Sequence, residues 1–192
     1  MNANEVMDQI AKLFERRGSS LYGGEAVTQT EHALQAALLA EQAQAPPAMI
    51  VAAVLHDVGH LLHDLPADAP DHGVDDEHEQ LADRWLRQHF AADVCDPVRL
   101  HVAAKRYLCA VDADYAGTLS PPSLLSLQLQ GGPMSASEAE EFRSEPYFAE
   151  SIALRRWDDQ AKVAGLPTPG LAHFLRCVPD CMRSAEVIER TP

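Results

Sequence analysis

Basic residues are scarce in this sequence: 15 Lys and Arg stand against 29 Asp and Glu, a formal charge of −14 over 192 residues. That balance argues against a protein that grips a nucleic-acid backbone, which needs a basic face, and against docking on anionic membranes. A small anion bound here would need local cations or metal to draw it in against the global field. Long apolar runs are absent too, and none approaches the roughly 18–20 residues of a membrane span. The opening segment MNANEVMDQIAKLFERRG is amphipathic, carries acids, and lacks the order of a secretory leader. The four cysteines, Cys95, Cys109, Cys177 and Cys181, include no C-x-x-C pair. They read as reduced structural thiols of a cytoplasmic protein. Ile and Thr are few, no hairpin signal or internal repeat occurs, and alanine is abundant, so helix is favoured over strand.

Apolar periodicity and breakers place helices at about 4–17, stopped at Gly18, and at about 29–44, capped by Thr28 or Thr30 and closed by Pro46-Pro47. A third helix, about 47–62, contains AMIVAAVLHDVGHLL, is apolar almost all round, and should be buried. An acidic, Pro/Gly-rich loop follows at 63–75. Further helices are expected at about 76–90, 97–106, 120–130, 135–142, 145–164 and 170–190. The class is all-α, with residues 1–192 forming one domain whose core spans about 20–165.

His56-Asp57 lies inside the buried third helix, where ionisable groups are costly unless partnered, and a metal is a strong partner. A lone pair of this kind is ordinarily a satisfied core histidine beside a helix-face aspartate. Here His32, His78, His101 and Asp158 each fall in a different expected helix, giving four histidines and two carboxylates in all. Four imidazoles and two hard oxygens with no thiolate suit iron or manganese better than a structural zinc site, and two metals could share Asp57 as a bridge. Helical spacing adds more. His60 follows His56 by four, Lys105 follows His101 by four, and Arg155 precedes Asp158 by three. Three metal-bearing helices would thus each set a donor or cation beside the metal, making an anion pocket.

The order His32 … His56-Asp57 … Asp158 resembles the H…HD…D signature of the HD-domain superfamily, helical bundles around a metal site, and the added His78 and His101 are similar to its dinuclear branch. Two segments, YGGEAVTQTEHALQAA at 22–37 and LRRWDDQAK at 154–162, narrow this. With the ligand spacings, they resemble the mixed-valent diiron HD oxygenases that cleave phosphonate carbon–phosphorus bonds. The resemblance covers about residues 20–165.

It implies two Fe ions, Fe(II) and Fe(III), with O2 as co-substrate. One iron would take His32, His56, Asp57 and Asp158; the other His78 and His101, with Asp57 bridging. His60, Lys105, Ser123 and Arg155 would hold the phosphonate. Tyr22 and Glu25 would form a mobile catalytic lid around Gly23-Gly24, the tyrosine occupying an iron position at rest and the glutamate meeting a substrate ammonium group. Without that resemblance, Tyr22 reads as a core anchor and Glu25 as a first-turn acid. The implied substrate is 1-hydroxy-2-(trimethylammonio)ethylphosphonate or 1-hydroxy-2-aminoethylphosphonate, oxidised to phosphate plus glycine betaine or glycine. A quaternary ammonium favours aromatic faces, and Tyr22, Tyr107, Tyr115, Tyr147 and Phe148 could line such a pocket. The expected partner is that small hydroxyphosphonate, with no nucleic acid and no membrane; oligomeric state is left open, a monomer being one option. The alternative is a metal-dependent HD phosphohydrolase acting on a nucleotide or small phosphate ester without O2; a non-catalytic HD-like module would ordinarily have lost ligands. His63, His72, His89 and His173 read as structural or surface residues.

Overall fold

The structure, a computed structural model, describes residues 1–63, 72–73 and 76–183. Among these the chain is helical, with isolated bridges at Leu21–Thr28 and Phe90–Met182 and no strand, and no helix is long and apolar enough to cross a membrane. Helix α1 (Ala3–Arg17) is closed at its start by Asn2, whose side chain and that of Glu5 cap one another's backbone N–H. Val6, Ile10 and Phe14 form its buried stripe. Helix α2 (Gln29–Gln42) begins at Thr28, not Thr30, through the same reciprocal device with Glu31.

The expected third helix is two helices, α3 (Pro47–Leu55) and α4 (Val58–Leu62). Every residue from Ala48 to Leu55 is buried, as an apolar surface all round requires. The break falls on His56 and Asp57, where Asp57 leaves helical geometry at φ −104°, ψ 16°. Neighbouring residues on a regular helix point about 100° apart, so two adjacent ligands can meet in one centre only if the helix gives way between them.

Helix α5 (His78–Leu86) is shorter than expected and α6 (Ala92–Val111) longer. The extra length of α6 lies on both sides of the 97–106 expectation, because Pro97 sits inside the helix near its start rather than opening it. A 3-10 turn (Tyr115–Thr118), α7 (Pro121–Leu129), α8 (Ala136–Arg143) and α9 (Phe148–Gln160) follow. Residues 170–183 form two short helices, α10 (Leu171–Leu175) and α11 (Val178–Cys181), instead of one long one. The rest of the expected 170–190 helix, and most of the 63–75 loop, lie outside the described residues. Two ligand-bearing helices, α5 and α9, start behind non-glycine residues with left-handed backbone, Glu77 (φ 47°) and Tyr147 (φ 64°). Such positions cost about 1–3 kcal/mol and persist when surrounding structure demands them.

The larger core gathers α1, α2, α3 and parts of α5, α6 and α9–α11 around Ile10, Leu55, Leu86, Leu154 and Phe174. The smaller packs Leu100, Ala104, Tyr107 and Leu108 of α6 against Tyr115, Leu127 and Phe142. Helix α6 serves both and packs most extensively on α9. Cys95 and Cys181 are buried, and all four cysteines are free thiols. His89 is a structural residue: it is 4% exposed, its ring meets Trp85 edge-on, and burial pushes its pKa down. His173 pairs with Glu41 at 3.0 Å.

Helix α4 reaches α5 across Gly59, where an added Cβ would lie 2.0 Å from the carbonyl oxygen of His78. Gly59→Ala should destabilise the protein by about 1–3 kcal/mol, seen as a lower Tm. Gly117→Ala, where nothing lies within 4 Å of an added Cβ, should leave Tm unmoved and serves as the control.

Candidate dinuclear metal centre and its cavity

Four helices and the α3–α4 break bring six side chains to one place. His32 (α2), His56 and Asp57 (the break) and Asp158 (α9) offer ligand atoms within 4.8 Å of one another, all buried. The His32 and His56 Nε2 atoms are 3.0 Å apart, and Asp57 Oδ2 lies 3.4 Å from each. Asp158 Oδ1 is 3.3 Å from His32 Nε2. The other carboxylate oxygen, Asp57 Oδ1, faces a second group: it is 3.4 Å from His78 Nε2 (α5) and 3.5 Å from His101 Nε2 (α6), which are 3.2 Å from each other.

Protonation decides what these contacts are. His32 Nδ1 donates to the carbonyl of Ala161 (2.9 Å), His56 Nδ1 to Ala53 (2.9 Å), His101 Nδ1 to Val98 (2.7 Å), and His78 Nδ1 to the Asp76 carboxylate (2.8 Å). A carbonyl only accepts, so Nδ1 carries the proton and the neutral ring presents a lone pair at Nε2. In each group, then, two imidazole Nε2 atoms and carboxylate oxygens converge on one point, a donor set that a metal can bind once Nε2 has given up any proton. Both oxygens of Asp57 and Oδ1 of Asp158 are buried without a hydrogen-bond partner. Each unmet buried group costs about 1–3 kcal/mol, and more when charged. A cation in each group removes the whole cost, and the Nδ1 anchors are the supports that metal-bound histidines use. The residues therefore fit two metal ions with Asp57 between them.

The electrostatics agree. Burial opposes charging of His56 and His78, yet Asp57 with Asp158 or Asp76 raises them to about 10 and about 9. Burial would raise Asp57, but His56 and the other imidazoles hold it well below the carboxylate range. The metal-free cluster draws in protons where a metal would sit. A third group, His60, His63 and Asp76, is different. Asp76 accepts from His60 Nδ1 (2.8 Å), His63 Nε2 (3.3 Å) and His78 Nδ1, so its lone pairs are met by hydrogen bonds and no ion is needed.

A cavity of about 510 Å³ opens on this centre, a volume ordinary for a small-molecule site. His78, His101 and Asp158 border it, with His60, Lys105, Ser123 and Arg155, and Tyr22 to Glu25 lie along it. The three helical-face expectations thus meet in one space. His60 stacks on His78 (4.2 Å between rings), its Nδ1 on Asp76. Lys105 is 3% exposed and donates to Ser126 Oγ at 2.8 Å. Burial, then the charge of Arg155, push its pKa down to about 7. Arg155 is more occupied than expected. Its NH1 pairs with Asp158 Oδ2 at 2.6 Å, and its Nε and NH2 are taken by Asp159, which also receives the Tyr115 hydroxyl. It keeps its charge, since burial is outweighed by Asp158 and Asp159, but has few donors left.

Tyr22 lies flat on His32, rings 3.8 Å apart, and burial with Asp158 and Asp57 holds its phenol pKa well above the ordinary value. Of the five aromatics that could have lined the cavity, Tyr22 alone does among the described residues. Tyr107 and Phe148 pack with Phe142, and Tyr115 serves Arg155 and Asp159, so the core claims them. Two groups at the site were not singled out from sequence: Asp76, two residues before His78, and Lys162, four after Asp158. The second has the spacing that found Lys105.

Fold and site together define an all-α protein with a buried His/Asp cluster fit to hold two metal ions, beside a cavity holding a buried lysine. No protein-family model matches the chain. It is 43% identical over 174 residues, 91% of this chain and 89% of the relative, to the [1-hydroxy-2-(trimethylamino)ethyl]phosphonate dioxygenase (glycine-betaine-forming) of Leisingera caerulea. It is 44% identical over 180 residues, 93% and 89%, to the hydroxymethylphosphonate dioxygenase of Gimesia maris. An uncharacterised protein of Acanthamoeba polyphaga mimivirus is 39% identical over 160 residues, 82% and 73%. The chain belongs to this family of HD-domain phosphonate dioxygenases.

Two outcomes are expected of the metal centre. Metal uptake at pH 7 should release protons, because His56 and His78 must shed theirs to bind; calorimetry in buffers of different ionisation enthalpy measures this, and uptake without proton release would show neutral imidazoles in the metal-free state. Asp57→Ala should abolish bound metal by elemental analysis, since both groups lose an oxygen; two retained metal ions would refute the bridge.

Proposed function

We propose that this chain uses O2 to cleave the C–P bond of a 1-hydroxyalkylphosphonate, releasing inorganic phosphate and a carboxylic acid. The observation that carries the reading is one cavity bordered by members of both His/Asp groups and by the buried ammonium of Lys105. A dianionic ligand fits where metal and lysine face a common space. Family membership supplies the O2-dependent chemistry.

On this reading His32, His56, Asp57 and Asp158 hold one iron, and His78, His101 and Asp57 the other. The pair of irons, Fe(II) and Fe(III), supplies Lewis acidity and the redox partner for O2. The chain's own residues do the rest. Lys105 and Ser123 bind phosphonate oxygens, His60 presents Nε2 to them, and Arg155 contributes charge through its remaining N–H groups. Tyr22, a protonated phenol over His32, covers the centre until substrate displaces it and keeps water from it meanwhile. Gly23 and Gly24, at φ 45° and 81°, give the lid backbone a left-handed path open to glycine. Glu25 faces the substituent on the hydroxyl-bearing carbon. A 2-trimethylammonio group would yield glycine betaine, a 2-amino group glycine; the Gimesia maris relative is named for hydroxymethylphosphonate, which has neither. The chain works as one cytoplasmic domain, in keeping with its free thiols.

Iron-loaded protein should release phosphate from 1-hydroxy-2-(trimethylammonio)ethylphosphonate, its 2-amino analogue or hydroxymethylphosphonate in air and not under argon. Lys105→Ala should retain iron and weaken phosphonate affinity by about tenfold to a hundredfold. Turnover of a phosphate ester under argon, with no phosphonate cleaved in air, would place the protein in the phosphohydrolase branch instead.

A further inference from the structure

Lys162 lies two residues past the end of α9, just beyond the Ala161 carbonyl that anchors His32. Its ammonium donates to Ser123 Oγ at 2.8 Å, sits 3.5 Å from Glu25 Oε1, and lies 5.8 Å from the centre of the Tyr22 ring. Those three residues border the cavity, and Lys162 contacts each of them. The Glu25 carboxylate also accepts the hydroxyl of Ser120. Glu25 is thus met by a cation and a donor. With side chains only 11% and 15% exposed, water screens this pair less than one on the open surface.

Glu25 is, on the proposed function, the one acid aimed at the substrate's substituent. A carboxylate shared between Lys162 and a second cation a few ångströms away cannot neutralise both. No aromatic box compensates, because Tyr22 is the one aromatic on the cavity among the described residues. A neutral substituent makes no such demand. We propose that Lys162 is the counter-ion of Glu25 and sets the substituent selectivity of the cavity, lowering the advantage of a cationic substituent over a neutral one. Lys162 is a positioning residue that acts through Glu25, and the assignment rests on the phosphonate reading above.

The test compares two phosphonates that share the reacting group, 1-hydroxy-2-(trimethylammonio)ethylphosphonate and hydroxymethylphosphonate. Their affinities for the iron-loaded protein are measured under argon by calorimetry, and their kcat/KM for phosphate release in air. Lys162→Gln keeps a donor for Ser123 and loses the charge; Lys162→Met is the second neutral variant should the first fold poorly. Either should raise the cationic-to-neutral ratio by about tenfold in both measurements. Lys162→Arg should restore the wild-type ratio. A parallel fall for both phosphonates would mean that Lys162 merely holds the lid, and an unmoved ratio would remove it from selectivity; either result overturns the assignment while leaving the dioxygenase reading intact. A wild-type protein that binds neither phosphonate would sink that reading and this inference with it.

Discussion

Everything at this site hangs on the placement of one buried carboxylate. Asp57 turns its two oxygens to two different pairs of imidazoles, and that is possible only because the chain stops being helical where it stands. A continuous helix from 47 to 62 would have buried the apolar surface equally well. It would also have pointed His56 and Asp57 in different directions and left Asp57 a single neighbourhood. The break gives up regular helix hydrogen bonding at the centre of the core. Nothing apolar repays that; a pair of cations would.

The surroundings of Asp57 are built to keep its partners from drifting. Each proposed imidazole ligand is fixed through Nδ1, three by backbone carbonyls and His78 by Asp76. Asp158 is fixed by Arg155, which Asp159 and Tyr115 hold in turn. Arg155 is therefore less a free phosphonate clamp than the part that keeps Asp158 ionised and aimed, and the share of anion binding left to Lys105 and Ser123 grows accordingly. In a chain of formal charge −14, this local concentration of Lys105, Arg155 and Lys162 supplies the field that a dianion needs.

Much of this was legible in the sequence, for a definite reason. Spacing within a helix is a reliable ruler, so Lys105 and Arg155 could be set beside His101 and Asp158 before any coordinates. The ruler fails where the helix does. The residues AVLHDVG contain no breaker before Gly59, so the interruption at His56-Asp57 comes from the tertiary demand for ligands and not from local propensity. The expected 97–106 helix opened at Pro97, a residue that lies inside α6. His89 could not be told from a helix-end cation, because burial is a property of what packs on it. Lys162 and Asp76 both fell inside expected helices, 145–164 and 76–90, and were passed over; the structure ends α9 before Lys162 and starts α5 after Asp76, so helical spacing was not the signal that places them.

The lid shows why a site like this needs coupling between its ends. On the proposed function Tyr22 covers the metal end and Glu25 faces the substituent end, and two glycines, Gly23 and Gly24, join them. Lys162 touches both and also Ser123 at the phosphonate end. A ligand that engages Ser123 or Glu25 therefore perturbs the ammonium lying under Tyr22. On the proposed function, opening of the metal position would be linked to occupation of the cavity, with Lys162 as a contact that the two ends share. A centre that reacts with O2 gains from such a link, since its reactive position stays covered until there is a carbon atom to oxidise.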